Sequence, residues 1–537
     1  MNNLNFLVDV LKESPVFKTL EKNVKPGRAV CASGLSTINK SNIIYALCRL
    51  KGVTAFCLAS DEKEAQTLCN DLSCMGLRAY VYPVRDFNFL DFQSRSHEYE
   101  HARLKVLLKL INHECDVAIA CVDAAAQLTV PRNVLEQSVI EFEEGRELSL
   151  EKATKALTLL GYERFDAVEG SGQFSLRGGI LDFFMPDSDY PVRCEFWGDE
   201  ITDLSYFDIE TQRRFKKADK ITLSPSTEIV IEDRAALADK IEHKAKLLRS
   251  KNSAKAKEKL FSEAQLIRSG AMIANADKFI NQIYDKPESL FDYLDRNTLV
   301  FASEFTAIQE RGKSMDFISN ETLMQGFEDG TLCRGFDRFA LTFNECTEFL
   351  QSHGTIVLEN FVHGSMPIKL SEIISFSTKQ LSAWGGSYKQ LKEDVDGLFT
   401  PESKGVIFAG TERAAKNLCD TFNADGINAV YSEGADKISK GELLVMQGAL
   451  SAGFEYPSQK FFAITYSQVS YRPEKSKKKK KKTGQEIYSL SELAPGDYVV
   501  HNVHGIGVFG GIRKIDTHGV IKDYIKIDYA KGDVLYV

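Results

Sequence analysis

The sequence predicts a multidomain α/β protein. It has helix-covered parallel sheets, a small α+β domain inserted into the first of them, and a small all-β barrel at the C-terminal end. Three observations carry this expectation. Strand-like and helix-like stretches alternate through residues 1–130, the pattern of a parallel sheet. Residues 161–214 (GYERFDAVEGSGQFSLRGGILDFFMPDSDYPVRCEFWGDEITDLSYFDIETQRR) switch to period-2 alternation broken by turn residues. From residue 487 onward, short alternating runs sit between close glycines. At 537 residues the chain exceeds a single core, since domains hold ~100–200 residues each.

Composition narrows the function classes. Hydrophobic residues make up 43% and charged residues 26%, ordinary for a globular chain. A net charge of -8 argues against a protein whose main surface grips nucleic acid, though local basic patches remain open. The eleven cysteines form no CxxC pair, and Cys69/Cys74 and Cys115/Cys121 lack zinc spacing. Free thiols in a reducing cytoplasm are the expectation, with no metal site. The N-terminus, MNNLNFLVDVLKESPVF, reads as an amphipathic helix and not as a signal peptide. No apolar run approaches the ~20 residues that span a bilayer.

In chain order, Ala29–Ala32 reads as a strand, with a helix through Leu50. Val53–Leu58 is the next strand, 62–75 a helix and Ala79–Pro83 a strand. A helix over 98–112 and a strand at Val117–Val122 follow. The loop Gly34–Ser41 has the spacing of a phosphate loop, GxxxxGK[ST], whose glycines let backbone N–H groups wrap phosphates. Lys40 and Ser41 fit, but Asn39 stands where the second glycine belongs and carries a side chain into the phosphate approach.

Within 161–214, Phe174 and Leu176 alternate with Ser175 and Arg177, and Val192, Cys194 and Phe196 alternate with Arg193, Glu195 and Trp197. Arg177, Arg193 and Trp197 therefore point away from the core. Gly178-Gly179 suggests a bulge or sharp bend. Trp and Arg are enriched at interface hot spots, yet single exposed aromatics are common. Pattern alone leaves an interaction face and a solvated sheet face evenly balanced.

The charged stretch 232–284 reads as two or three helices, and its Lys-rich part, Lys244–Lys259, is expected to be a solvated helix face. Leu299–Ala302 and Thr355–Leu358 are buried strands. Residues 361–472 read as a separate α/β unit, with a strand at Gly405–Ala409 and a helix capped by Thr411. Residues 473–486 are a tether around the lysine run Lys477–Lys482. His501 and His504 lack further ligands nearby and are read as structural.

The motifs GY-x-R, GQFSLRGGILDFF, PVRCEFWGDEI and FDIETQR resemble the domain that bacterial transcription-repair coupling factors (Mfd) share with the excision subunit UvrB. That resemblance implies UvrA binding, with the family's two arginines and aromatic falling on Arg177, Arg193 and Trp197, although the aromatic is usually Phe. It implies domains at 1–130 and 216–360 (UvrB-like, degenerate phosphate loop), 131–215 (UvrA-binding), 361–472 (unassigned), 473–486 (linker) and 487–537. The last is similar to the polymerase-interacting module of CarD-type regulators, which pairs a strand edge with the RNA polymerase β subunit. The expected edge is Tyr524, Ile525, Lys526 and Ile527. Residues 292–304 align with the UvrB segment ending in a metal-binding Asp-Glu pair, with Ser303 and Glu304 at those positions.

A hydroxyl cannot replace a carboxylate in organising Mg²⁺, so Gly34, Asn39, Lys40, Ser41, Ser303 and Glu304 are expected to be a site without ATP hydrolysis. Weak nucleotide binding stays open. The resemblance covers the N-terminal half of such a protein. No second phosphate loop, DExH box or arginine finger is present, so ATP, Mg²⁺ and double-stranded DNA are expected of a motor outside this chain, and no cofactor of this chain itself. The expected function is an adaptor between stalled RNA polymerase and UvrA. The alternative is a UvrB-like ATPase that separates DNA strands. The stretch YPVRDFNFLDFQSRSHEYEHARL is too short for UvrB's Tyr-rich wedge, which favours the adaptor.

Overall fold

The computed structural model describes residues 4–85, 97–137, 140–248, 254–270, 276–362, 366–381, 388–466, 496–501, 505–517, 520–529 and 534–536. They divide into two compact units, Met1–Tyr471 and Arg472–Val537.

The first unit opens with α1 (Asn5–Lys12) and α2 (Pro15–Asn23), where the sequence reads as one helix. Pro15 cannot continue α1 and instead starts α2, capped by Ser14, whose Oγ accepts from the Phe17 N–H. The alternating segment follows as β1 (Ala29–Ser33), α3 (Thr37–Lys51), β2 (Ala55–Ala59), α4 (Glu62–Cys74), β3 (Ala79–Tyr82), α5 (Glu98–Ile111), β4 (Val117–Cys121), α6 (Val122–Ala126) and α7 (Arg132–Gln137). Next come β5 (Ile140–Glu143), α8 (Leu150–Leu159), β6 (Glu163–Arg164), β7 (Gln173–Arg177), β8 (Ile180–Phe183), β9 (Val192–Trp197), β10 (Glu200–Phe207), β11 (Arg214–Lys217) and β12 (Lys220–Leu223).

The chain returns through α9 (Arg234–Leu247), α10 (Ala254–Arg268) and α11 (Ile280–Ile283). It continues as β13 (Leu299–Ser303), α12 (Phe305–Asp329), α13 (Phe343–His353), β14 (Thr355–Leu358) and β15 (Leu370–Ser375). The unit closes with β16 (Lys379–Leu381), α14 (Tyr388–Leu398), β17 (Lys404–Phe408), α15 (Glu412–Ala424), β18 (Ala429–Ser432), β19 (Glu442–Met446), β20 (Gly453–Tyr456) and β21 (Phe461–Thr465).

The main sheet is all parallel, in the order β15-β1-β14-β13-β2-β4-β3. β1, β2, β4 and β14 are buried at every position, so they read as continuous apolar runs and not as alternating ones. The boundary expected at 360 falls later. β15 pairs with β1, so residues to Ser375 belong to the first domain. The second α/β sheet runs β16-β20-β21-β17-β19-β18. It packs on α1 and α3 in a shared core that holds Phe6, Phe408, Tyr456 and Phe461.

The inserted domain also ends later than residue 215. β12 pairs antiparallel with β5, and Ile221 and Leu223 join the domain's core. Its main sheet runs β11-β10-β9-β8-β7-β6. The sharp bend expected at Gly178-Gly179 is the two-residue turn of the β7–β8 hairpin, with no bulge. Gly178 takes φ 63°, and a Cβ on Gly179 would lie 2.8 Å from the Phe196 carbonyl oxygen. The chain re-enters the first domain at a buried ion pair: Arg103 Nε donates to Glu228 Oε1 at 2.7 Å, both side chains fully buried. The same guanidinium donates to Gln127 Oε1 (2.8 Å) and the Pro83 carbonyl (3.1 Å), so its charge is fully partnered.

The second unit contains β22 (Tyr498–His501), β23 (Gly505–Thr517), β24 (Val520–Asp528) and β25 (Val534–Tyr536), an antiparallel sheet in that order. Among the described residues it is an open meander and not a closed barrel. The bend expected from close glycines is present as a register shift between Phe509 and Ile512, at Gly510-Gly511. The lysine run Lys477–Lys482, the linker 473–486, His504 and residues 86–96 lie outside the described residues.

Candidate functional site

The outward face of the inserted sheet is built by register. β8 pairs with β7 and β9 so that Asp182 lies opposite Ser175 on one side and Arg193 on the other. Asp182 is a carboxylate within an apolar run, on the face opposite Leu181 and Phe183, and only 1% exposed. Such a burial requires charged partners, and it has two. Arg193 Nε donates to Asp182 Oδ1 at 2.7 Å and its Nη2 to Oδ2 at 2.8 Å, a bidentate pair. Arg177 Nη2 donates to Oδ2 at 2.7 Å. One carboxylate thus aligns two guanidinium groups.

The three expected residues do share this face, but not one role. Arg193 also donates to the Gln212 carbonyl (3.1 Å) and Gln212 Oε1 (3.1 Å), and lies 4.4 Å from the Phe207 ring centre. Its side chain is 13% exposed, so Arg193 points away from the core as expected but is packed into the outward face. Arg177 is half exposed and spends one nitrogen on Asp182. Trp197 is 81% exposed. Beside them Arg214 spans Glu195 and Asp203. The arrangement offers an apolar ring beside spare guanidinium donors, suited to an acidic and apolar protein surface. Sequence reading missed Asp182, although a lone Asp inside ILDFFM was the available signal.

The structure also brings together the expected nucleotide-site residues. The Lys40 ammonium is 2% exposed and donates to Ser303 Oγ (2.9 Å), Glu304 Oε1 (2.5 Å) and Glu64 Oε1 (3.3 Å). Ser303 Oγ donates to Glu64 Oε1 at 2.6 Å. Glu359, fully buried, accepts from the Phe305 N–H; burial and the neighbouring Glu304 push it up to about 7. Glu64 and Glu359 were not singled out from sequence, since nothing local ties them to Lys40.

In the loop itself, the Gly34 and Leu35 N–H groups donate to the carbonyls of Asn360 (3.1 Å) and Glu359 (3.1 Å). Gly34, at φ 79°, lies so close to the 376 backbone that a Cβ would sit 2.3 Å from the Phe376 carbonyl oxygen. Asn39 is buried and accepts from Ser36 Oγ at 2.6 Å. Ser41 Oγ is buried 3.4 Å from Asp71 Oδ2. Among the described residues, no group of three or more His, Cys, Asp or Glu could hold a metal ion.

In the second unit, Ile527 and Phe509 share a small core with Ile525 packed against it, and the Lys526 ammonium reaches Asp528 at 2.8 Å. The inward and outward assignment holds. The edge does not: Lys526 and Ile527 pair with Tyr536 and Leu535 on one side, and Ile525 and Ile527 with Ile512 and Phe509 on the other. β24 is therefore an inner strand. Among the described residues the sheet ends on β22 and β25, because the chain beyond β24 folds back as β25.

Two families match these regions: the UvrB interaction domain over residues 140–229 and the CarD-like/TRCF RID domain over residues 493–537. The chain as a whole is similar to transcription-repair-coupling factors. It is 28% identical over 543 residues to that of Bacillus subtilis (strain 168), covering 98% of this chain and 46% of the relative. It is 26% identical over 476 residues to that of Staphylococcus haemolyticus (strain JCSC1435), covering 85% and 40%. The chain thus spans less than half the length of these relatives. Among the described residues, no helix is long and apolar enough to cross a membrane.

Proposed function

We propose that this chain is an adaptor that couples RNA polymerase to the excision-repair protein UvrA. The convergence of Arg177 and Arg193 on Asp182 beside an exposed Trp197 carries this reading. Asp182 holds the arginines in register, Trp197 supplies the apolar anchor, and Arg177 supplies free donors for a carboxylate. The UvrB interaction domain match over this face supports UvrA as the partner. The CarD-like match supports RNA polymerase as the partner of the second unit, through a terminal strand, β22 or β25, where backbone groups are available for strand addition.

The Gly34–Ser41 loop does not hydrolyse ATP on this reading. Its lysine is neutralised by Glu64 and Glu304, and the Gly34 and Leu35 N–H groups are already spent on backbone carbonyls. ATP, Mg²⁺ and translocation on double-stranded DNA belong to sequence beyond this chain. The test is a pull-down of purified UvrA and of the polymerase β subunit by the intact chain. Capture of neither partner would overturn the adaptor reading.

A further inference from the structure

Charge in the α9–α10 pair is sorted along its length. The two helices run antiparallel: Arg268 near the end of α10 reaches Asp239 (2.7 Å) and Glu242 (2.6 Å) in the middle of α9. At that end cations are matched by acids, and Lys240 likewise faces Asp285. The other end is formed by the last turn of α9 and the first turns of α10. Between Lys244 and Lys259 the described residues hold five cations and one acid, Glu258. Residues 249–253 lie outside the described residues. Among the described ones, Lys246, Lys255 and Lys257 meet no carboxylate, and Lys246 and Lys255 are exposed. Lys244 is used differently, donating to the Gly335 carbonyl at 3.1 Å.

Counting acids over the whole of 232–284 hides the imbalance, because antiparallel folding moves the acids to the far end. The surface also excludes one common partner. Leu237, Ile241, Leu260, Ala264 and Ile267 pack inward with Phe279 and Phe336, and among the described residues of this end Leu247 is the one large apolar side chain left exposed, too little to enter a lipid surface. No aromatic residue interrupts the lysines to anchor a protein partner. Regularly spaced phosphates need only cations.

We propose that Lys246, Lys255 and Lys257, at this end of α9 and α10, form a contact site for the phosphate backbone of duplex DNA. It is separate from the Arg177–Trp197 face and does not depend on UvrA or polymerase binding.

The test uses the full chain and a labelled random-sequence duplex of about 30 base pairs, titrated between about 50 and 200 mM salt. The triple variant Lys246→Gln, Lys255→Gln, Lys257→Gln is compared with the unaltered chain and with a variant carrying glutamine at Lys477–Lys482. The triple variant should bind at least about tenfold more weakly, with a log-log salt slope shallower by about 2.7, or 0.9 per lost phosphate contact. Its melting temperature should not change, since the three side chains are outside the core. Unchanged affinity and slope would overturn the proposal. So would complete loss of duplex binding in the Lys477–Lys482 variant alone. Equal weakening toward polyglutamate would show a protein-type acidic partner instead, and weakening toward anionic phosphatidylserine vesicles without weakening toward duplex would show a membrane.

Discussion

Arg193 and Asp182 are locked across neighbouring strands by two hydrogen bonds of 2.7 and 2.8 Å, with the carboxylate 1% exposed. The pair divides the candidate face into a part that builds it and a part that is free to bind. Trp197→Ala removes only an exposed ring. It should leave the melting temperature unchanged and weaken UvrA binding by about 2 kcal/mol or more, roughly thirtyfold. Arg193→Ala leaves Asp182 with one remaining arginine and should cost about 1–3 kcal/mol of stability as well. Calorimetric titration with UvrA alongside thermal melts separates the two; a Trp197→Ala protein that melts early but binds normally contradicts the assignment.

Phe196 lies on the opposite face of the same strand, 8% exposed in the domain core. Phe196→Ala should lower stability by about 3–5 kcal/mol through the cavity it leaves. UvrA affinity per folded molecule should stay as it was, as measured on the fraction that remains folded at low temperature.

Lys40 lies between Glu64 and Glu304 in a buried cluster and pairs with both. Lys40→Ala should therefore destabilise the chain by about 3 kcal/mol, because it strands carboxylates that are largely out of water. There should be no ATP turnover to lose. Steady-state hydrolysis above background in the unaltered chain, abolished by the same substitution, would refute this.

Asp71 ties α4 to the second α/β sheet. It accepts from the Ser451 N–H and Oγ, both at 2.7 Å, and from Ser41 Oγ at 3.4 Å. Burial pushes its carboxyl up to about 6 against those hydrogen bonds. A carboxyl whose folded pKa exceeds the unfolded ~3.9 binds its proton more tightly when folded. Its contribution is therefore largest below about pH 4 and is lost as pH rises through about 6. Asp71→Asn should remove that dependence. Urea melts should show the stability of the unaltered chain, relative to the variant, falling by about 1 kcal/mol between about pH 5 and 7.

Deleting residues 487–537 removes the sheet formed by β22 to β25. Polymerase capture should disappear while UvrA capture persists, because the Arg177–Trp197 face lies wholly in the first unit. Polymerase still captured after the deletion would place that contact elsewhere.

Sequence by itself determined the local periodicities and the faces they imply. The alternation of strand and helix through residues 29–121 and the period-2 faces of β7 and β9 appear in the structure where expected, because backbone geometry alone sets which side chains share a face. Period-2 spacing likewise placed Arg177, Arg193 and Trp197 on one face, while family resemblance joined Lys40 and Ser303 in one site. Tertiary structure decided how those residues are used. That Asp182 aligns both arginines, that Lys40 is neutralised by Glu64 and Glu304, and that β15 completes the first sheet all depend on contacts formed only when the chain folds. β24 shows the same limit: its alternation was legible, but whether a strand is an edge depends on whether another strand folds back beside it, and β25 does. Periodicity is a property of neighbouring residues, whereas charge pairing and sheet order are properties of residues that meet only on folding.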